Sequence, residues 1–211
     1  MKKLIIIGSG NVGGFLSYNM NDFGDYEVLG FLDDDEKKHG REFYGRRVLG
    51  HISTIERFFP GRGKELCVAI GISSPTVKAT IAQGLAQFEE ICFPNFIGRN
   101  VWISKNVQLG SGIILYPGVS INYETVLGDF VIMNMNCAIG HNTTISNYST
   151  LAPGVNLAGY TFVEEGVDLG IGASTKQNVR IGKFSRIGGQ SMLVRDVVAG
   201  SIVRGVPGRP I

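Results

Sequence analysis

From residue 97 onward the chain repeats an apolar position every six residues: Ile97, Ile103, Leu109, Leu115, Ile121, Leu127, Met133, Ile139, Ile145, Leu151, Leu157, Val163, Leu169, Thr175, Ile181, Ile187 and Leu193. Only Thr175 is not aliphatic. A second series, mostly small or β-branched, stands two residues ahead of the first and runs from Val101 through Thr125, Cys137, Thr143 and Val155 to Ser191. Two inward side chains spaced two apart fit one short strand. The residue after the aliphatic one is often glycine, as at Gly98, Gly110, Gly128, Gly140, Gly170, Gly182 and Gly188, and is expected to permit a tight corner. Three hexapeptides then close one triangular turn of eighteen residues, so residue i stacks on i+18, and Met133, Leu151, Leu169 and Ile187 form one interior column. An ordinary all-β domain would drift from a six-residue register wherever its loops differ in length. This register never slips, which predicts a left-handed parallel β-helix of roughly five coils, from residue 97 to about 196.

The first ninety-odd residues follow another rule. Lys3–Ile7 is a continuous apolar strand, and Gly8-Ser9-Gly10-Asn11-Val12-Gly13 turns it into a helical segment through Met20. Glu27–Leu32 reads as a second strand ending in Asp33-Asp34-Asp35, and Glu65–Ile70 as a third. A helix is expected from Pro75 to Glu90, capped by Ser73 and Ser74. Alternating strands and helices predict a small, parallel, Rossmann-like sheet. Two domains follow: residues 1–92, and residues 93–211 comprising the coil and a C-terminal extension.

Composition adds exclusions. A formal charge of +2 with scattered Lys and Arg gives no footprint for nucleic acid. The apolar run after Lys2-Lys3 is too short for a signal-peptide core and no later stretch could span a bilayer, so a cytoplasmic protein without a membrane partner is expected. Cys67, Cys92 and Cys137 are odd in number, lack metal-ligand spacing and read as structural thiols. Thirty glycines in 211 residues, without the collagen period, mean a chain that turns very often.

The glycine-rich turn offers backbone N–H groups at a helix N-terminus, which favours a pyrophosphate, and the acids after the second strand can accept hydrogen bonds from a ribose. A bare β-to-α turn carries the same pattern, and a nicotinamide oxidoreductase remains open on this motif. Ninety residues, however, fall short of the two-halved sheet that holds a dinucleotide, and a mononucleotide part fits better.

Set side by side, the two halves resemble the bacterial nucleotide-sugar acetyltransferases, among them the UDP-4-amino-sugar N-acetyltransferases and the sialic acid O-acetyltransferases. The resemblance covers essentially the whole chain. It rests on the Gly8-to-Gly13 turn, Phe31-Leu32-Asp33-Asp34, Val68-Ala69-Ile70-Gly71, the hexapeptide coil, and Asn134-Met135-Asn136-Cys137-Ala138-Ile139-Gly140-His141. It continues through Ala152-Pro153-Gly154, Leu157-Ala158-Gly159, Leu169–Ala173 and Gly205-Val206-Pro207-Gly208.

The resemblance implies a homotrimer with active sites between subunits, a nucleotide sugar held by the N-terminal domain, and acetyl-CoA along the groove between adjacent coils, with no metal. It assigns the sugar nucleotide to Gly8, Gly10, Asn11, Val12, Gly13, Asp33, Asp34 and Gly71, and acetyl-CoA to Gly159, Thr150, Ile171 and Gly189. His141 takes the position of the base, with Asn142 and Asn134 as the other catalytic positions. An imidazole, titrating near pH 6.5, can remove the proton that a sugar amine must lose in attacking a thioester. Gly159 lies eighteen residues beyond His141, where its N–H could stabilise an oxyanion.

Two positions depart from the family. Asn142 stands where an acidic residue commonly follows the base, and Val12 where the glycine turn usually carries a histidine. The implied function is transfer of an acetyl group from acetyl-CoA to a UDP-linked 4-amino sugar. The alternatives are an O-acetyltransferase and a non-catalytic, sugar-nucleotide-binding scaffold. A zinc-dependent carbonic anhydrase on the same coil is excluded, since of His39, His51 and His141 only the last lies in the coil.

Overall fold

The computed structural model describes residues 1–61 and 65–211. It divides into two compact units, residues 1–73 with 80–96, and residues 74–79 with 97–211.

In the first unit β1 (Lys2–Ile7), β2 (Tyr26–Leu32), β3 (Glu42–Phe43), β4 (Arg46–Gly50), β5 (Leu66–Ile70) and β6 (Ile91–Cys92) form one sheet in the order β3-β4-β2-β1-β5-β6. β1, β2, β4, β5 and β6 pair in parallel, and β3 and β4 form an antiparallel hairpin. β1 is central, and Leu4 through Ile7 are 0 % exposed, as a strand covered on both faces requires. The β3–β4 hairpin was not visible in the hydrophobic pattern. Tyr44 and Gly45, both with positive φ, supply its two-residue turn.

The first helix, α1 (Asn11–Tyr18), ends before Met20, where a short 3₁₀ turn takes over. The second, α2 (Pro75–Leu85), starts where the two serines suggested, with the Lys78 N–H donating to the Ser74 carbonyl. It stops five residues short of Glu90. Beyond Leu85 the chain turns back, and Ile91–Cys92 joins the sheet edge beside Leu66–Cys67.

In the second unit a two-residue strand recurs every six residues from Phe96–Ile97 to Met192–Leu193. Three sheets result, each made of every third strand, with parallel pairing of i to i+18 throughout. Met133 pairs with Leu151, Leu151 with Leu169, and Leu169 with Ile187, forming the expected column. The second inward series is buried at every position from Ile113 to Ser191. This is a left-handed parallel β-helix. Its C-terminal end carries a strand at Ile202–Arg204, parallel to Arg186–Ile187 and antiparallel to Arg209–Pro210.

One detail of the coil differs from the sequence expectation. The left-handed residue of each corner is not the one after the aliphatic position but the one three after it. Residues 100, 106, 112 and every sixth thereafter to 190 have positive φ, filled by Gly or Asn in most coils and by Glu124, Phe130, Tyr148, Tyr160, Phe184 and Gln190 in the others. The glycines next to the aliphatic residue answer a different need, which is close approach of the next coil. A Cβ at Gly128 would lie 2.6 Å from the Asn147 backbone nitrogen, and one at Gly140 would lie 2.5 Å from that of Gly159.

Thr175 faces inward at 5 % exposure, as its place in the six-residue series requires. Its Oγ1 accepts from the Ala158 N–H at 3.0 Å and lies 2.9 Å from the Thr161 hydroxyl, so a polar interior position is fully partnered.

Candidate functional site

At the N-terminal turn, the Gly8 N–H donates to the Leu32 carbonyl and the Gly14 N–H to that of Gly10. The glycines pack against one another: a Cβ on Gly13 would overlap the Gly8 carbonyl, and one on Gly71 would come within 2.8 Å of the Gly13 Cα. Gly10 faces open space and Asn11 is exposed, whereas Val12 is buried.

The acids after β2 are engaged by the fold. Asp33 Oδ2 accepts from the Ser9 N–H at 2.9 Å, the Ser9 hydroxyl at 2.6 Å and Lys38 Nζ at 3.0 Å, while Oδ1 accepts from the Asp35 N–H. Partial burial works to raise its pKa, but these donors, Ser9 foremost, outweigh it and hold the carboxyl well below the usual range. Asp34 Oδ1 accepts from the Ile52 N–H and lies 3.1 Å from His51 Nε2. A ligand hydroxyl reaching either acid would share it with these partners.

The richest constellation in the coil surrounds His141, on the corner that follows the Ala138–Ile139 strand. Stacking at eighteen residues supplies its neighbours from both sides. Tyr123, one coil earlier, lies flat on the imidazole with centroids 5.2 Å apart and planes at 10°. Tyr160 meets it edge-on at 5.1 Å. His141 Nδ1 is 2.9 Å from Asn142 Oδ1, and Asn142 Nδ2 donates to Glu124 Oε2 at 2.6 Å. A Cβ at Gly159 would lie 2.8 Å from both Nε2 and Cε1, so the missing side chain leaves space at the outer edge of the ring. Among the described residues the Gly159 N–H has no hydrogen-bond partner.

The remaining expected residues fall elsewhere on the coil. Asn134 stacks over Ala152, and its Oδ1 accepts from the Met135 N–H. Ile171, 59 % exposed, lies beside Gly189 one coil on, with the Gln190 N–H donating to the Ile171 carbonyl. By the eighteen-residue count, Asn134, Ile171 and Gly189 share a second corner. Thr150 is 8 % exposed, and its hydroxyl accepts from Lys78 Nζ at 3.0 Å.

The fold therefore brings together His141, Asn142 and Gly159. Tyr123, Glu124 and Tyr160 were not singled out by sequence, although counting eighteen residues to either side of His141 and Asn142 would have named all three. Among the described residues no group of three or more His, Cys, Asp or Glu side chains could hold a metal, and no helix is long and apolar enough to cross a membrane.

The fold of an α/β unit followed by a hexapeptide coil is found in acetyltransferases of known structure. It is shared over the full chain with the acetyltransferase domain of PglB from Neisseria gonorrhoeae FA1090 in complex with acetyl coenzyme A, at a TM-score of 0.89 and 22% identity, covering 100% of this chain and 99% of that one. It is shared equally with a histidine-to-asparagine variant of perosamine N-acetyltransferase from Caulobacter crescentus in complex with CoA and GDP-perosamine, at a TM-score of 0.89 and 23% identity, covering 100% and 97%.

In sequence, residues 3–85 match the model of the PglD N-terminal domain. GDP-perosamine N-acetyltransferase of Escherichia coli O157:H7 is 35% identical over 80 residues, 38% of this chain and 36% of that protein. UDP-3-O-acylglucosamine N-acyltransferase of Methylorubrum extorquens (strain PA1) is 33% identical over 115 residues, 54% of this chain and 32% of that one. This chain thus spans about a third of the length of these curated relatives.

Proposed function

We propose that the protein is an acetyl-CoA-dependent N-acetyltransferase of a nucleotide-linked amino sugar, with His141 as general base. The observation that carries this reading is the environment of His141: a ring clamped by Tyr123 and Tyr160, tied through Nδ1, with its other nitrogen facing the gap left by Gly159. The 35% identity to GDP-perosamine N-acetyltransferase over 80 residues and the match of residues 3–85 to the PglD N-terminal domain support it.

In the reaction the sugar amine attacks the thioester carbonyl carbon, a C–N bond forms, and Nε2 of His141 takes the amine proton. The tetrahedral oxyanion accepts from the Gly159 N–H. Collapse breaks the C–S bond, and the proton passes from the imidazolium to the departing CoA sulfur. No covalent enzyme intermediate is needed, because both reactants are held together. Acetyl-CoA lies along the coil, with Ile171 and Gly189 on its path and Thr150, buried beneath Lys78, left out of it, and Asn134 lies near the amino sugar. The protein works as a homotrimer in which the His141 corner of one copy meets the Asn134 and Ile171 corner of the next. The turn at Gly8, Gly10, Asn11, Val12, Gly13 and Gly71 takes the nucleotide, with Asp33 and Asp34 at its edge, and a UDP-linked 4-amino sugar is the expected substrate.

The test is release of CoA from acetyl-CoA with UDP-, dTDP- and GDP-linked amino sugars. Turnover with an amino sugar is expected, and His141→Ala is expected to lower kcat by roughly 10²–10⁴-fold. Turnover only with hydroxyl acceptors would replace this reading with O-acetylation, and full activity of His141→Ala would remove the base.

A further inference from the structure

We propose that Glu124, one coil before the base, is a positioning residue that sets the tautomer and orientation of His141 through Asn142. The proposal rests on His141 being the base.

A carboxylate can only accept. With Glu124 Oε2 at 2.6 Å, the side chain of Asn142 must therefore turn its NH₂ toward Glu124, which turns its Oδ1 toward the histidine. An amide oxygen also only accepts, so His141 Nδ1, 2.9 Å away, must carry the hydrogen. In a neutral imidazole that leaves the lone pair on Nε2, which is the nitrogen facing the space at Gly159. Without Glu124 the Asn142 amide could flip and accept the opposite tautomer, whose Nε2 bears a hydrogen and cannot take a proton. The asparagine alone thus cannot choose, and the carboxylate eighteen residues earlier does.

The arrangement also supplies a charge that the Asn142 amide itself lacks. A negative charge stands two hydrogen bonds from the ring and favours the imidazolium that forms during attack. The other titratable groups against His141 are the phenols of Tyr123 and Tyr160. Lys105 contributes its backbone carbonyl to the Glu124 N–H, one coil further along the column. Glu124 has a φ of 55°, an uncommon conformation for glutamate, and the equivalent corner at residue 190 shows that glutamine is accommodated there.

Glu124→Gln keeps the shape and removes the charge and the one-way acceptor. It is expected to lower kcat roughly tenfold with the KM values for both substrates unchanged, and to move the acid limb of kcat/KM to lower pH, because a carboxylate that favours the protonated ring is gone. Adding Asn142→Asp to Glu124→Gln, which puts the charge directly on Nδ1, is expected to restore most of kcat. On a His141→Ala background Glu124→Gln should change nothing further.

Ring ¹⁵N shifts of full-length protein report the tautomer without any substrate: Nδ1–H in the wild type and a mixture in Glu124→Gln. Wild-type kcat, pH limb and tautomer in Glu124→Gln would overturn the proposal while leaving His141 as base. An active His141→Ala would instead overturn the underlying functional reading. Should Glu124→Gln lower the melting temperature substantially, the tautomer spectrum below the transition still decides, a single Nδ1–H form counting against the proposal.

Discussion

Gly159 does its work by what it lacks. A methyl group there would sit 2.8 Å from two atoms of the imidazole, and its backbone φ is not in the left-handed region, so alanine strains the ring rather than the chain. Gly159→Ala should therefore tilt His141 away from Asn142 and lower kcat within the roughly 10²–10⁴-fold range that a general base contributes. The melting temperature should stay near that of the wild type, and steady-state CoA release with a thermal scan checks both. His141 and Gly159 were legible in the sequence because their spacing equals one coil. Tyr123, Glu124 and Tyr160 were not, because an aromatic or acidic side chain at an exposed corner leaves no mark on a hydrophobic pattern. Their meaning comes only from what stacks on them.

Strands of two residues cannot hold themselves flat, so each coil is stabilised by its neighbours. The apolar period revealed this arrangement nearly in full, since inward positions in short strands leave the clearest trace a sequence can carry. The corners were harder to read. Glycine marked close approach between coils, while the left-handed turn fell to residues as large as Phe130 and Tyr148, whose rings stack at 5.6 Å. Such a conformation costs an L-residue about 1–2 kcal/mol, and stacking of the two rings offsets part of it.

Thr175, the one interruption in the aliphatic series, is explained by the Ala158 N–H it accepts. Thr175→Val would keep the volume and orphan that donor. The expected loss is about 1–3 kcal/mol, measured as a shift in denaturant midpoint at constant m. An unchanged or higher midpoint would mean that the hydroxyl contributes nothing to the coil.

At the scale of the molecule, a buried amine shapes the response to pH between neutral and mildly alkaline conditions. Lys78, 1 % exposed, bonds to Thr150, and burial, only partly countered by Asp168, pulls its pKa down to about 7. An unfolded lysine titrates near 10.4. Above pH 7 the unfolded chain consequently holds a proton that the folded chain has released, and stability rises with pH. Between pH 7 and 8.5 the gain should be about 1–2 kcal/mol, at up to ~1.4 kcal/mol per unit. Higher still, the buried Cys137 thiol, pushed up to about 11, works in the opposite direction. Lys78→Met should flatten the rise and stabilise the protein at pH 7; a flat wild-type profile from chemical denaturation at the two pH values would contradict this assignment.

The sequence indicated the N-terminal sheet through its apolar strands. It could not show that Asp33 is already occupied by Ser9 and Lys38, since a partner for a carboxylate is a matter of three-dimensional proximity.

The eighteen-residue stack also constrains how this chain can change in length. His141, Asn142 and Glu124 are neighbours because whole coils separate them, with Ser120 paired to Ala138 and Ala138 to Asn156 on either side. A hexapeptide gained or lost between them would keep the six-residue register of the remaining strands, yet would carry one partner to a different edge of the prism. The coil would fold and the site would be gone. Insertions can therefore accumulate freely only outside the span from Tyr123 to Gly189, and the fold is far more tolerant of growth than the chemistry it carries.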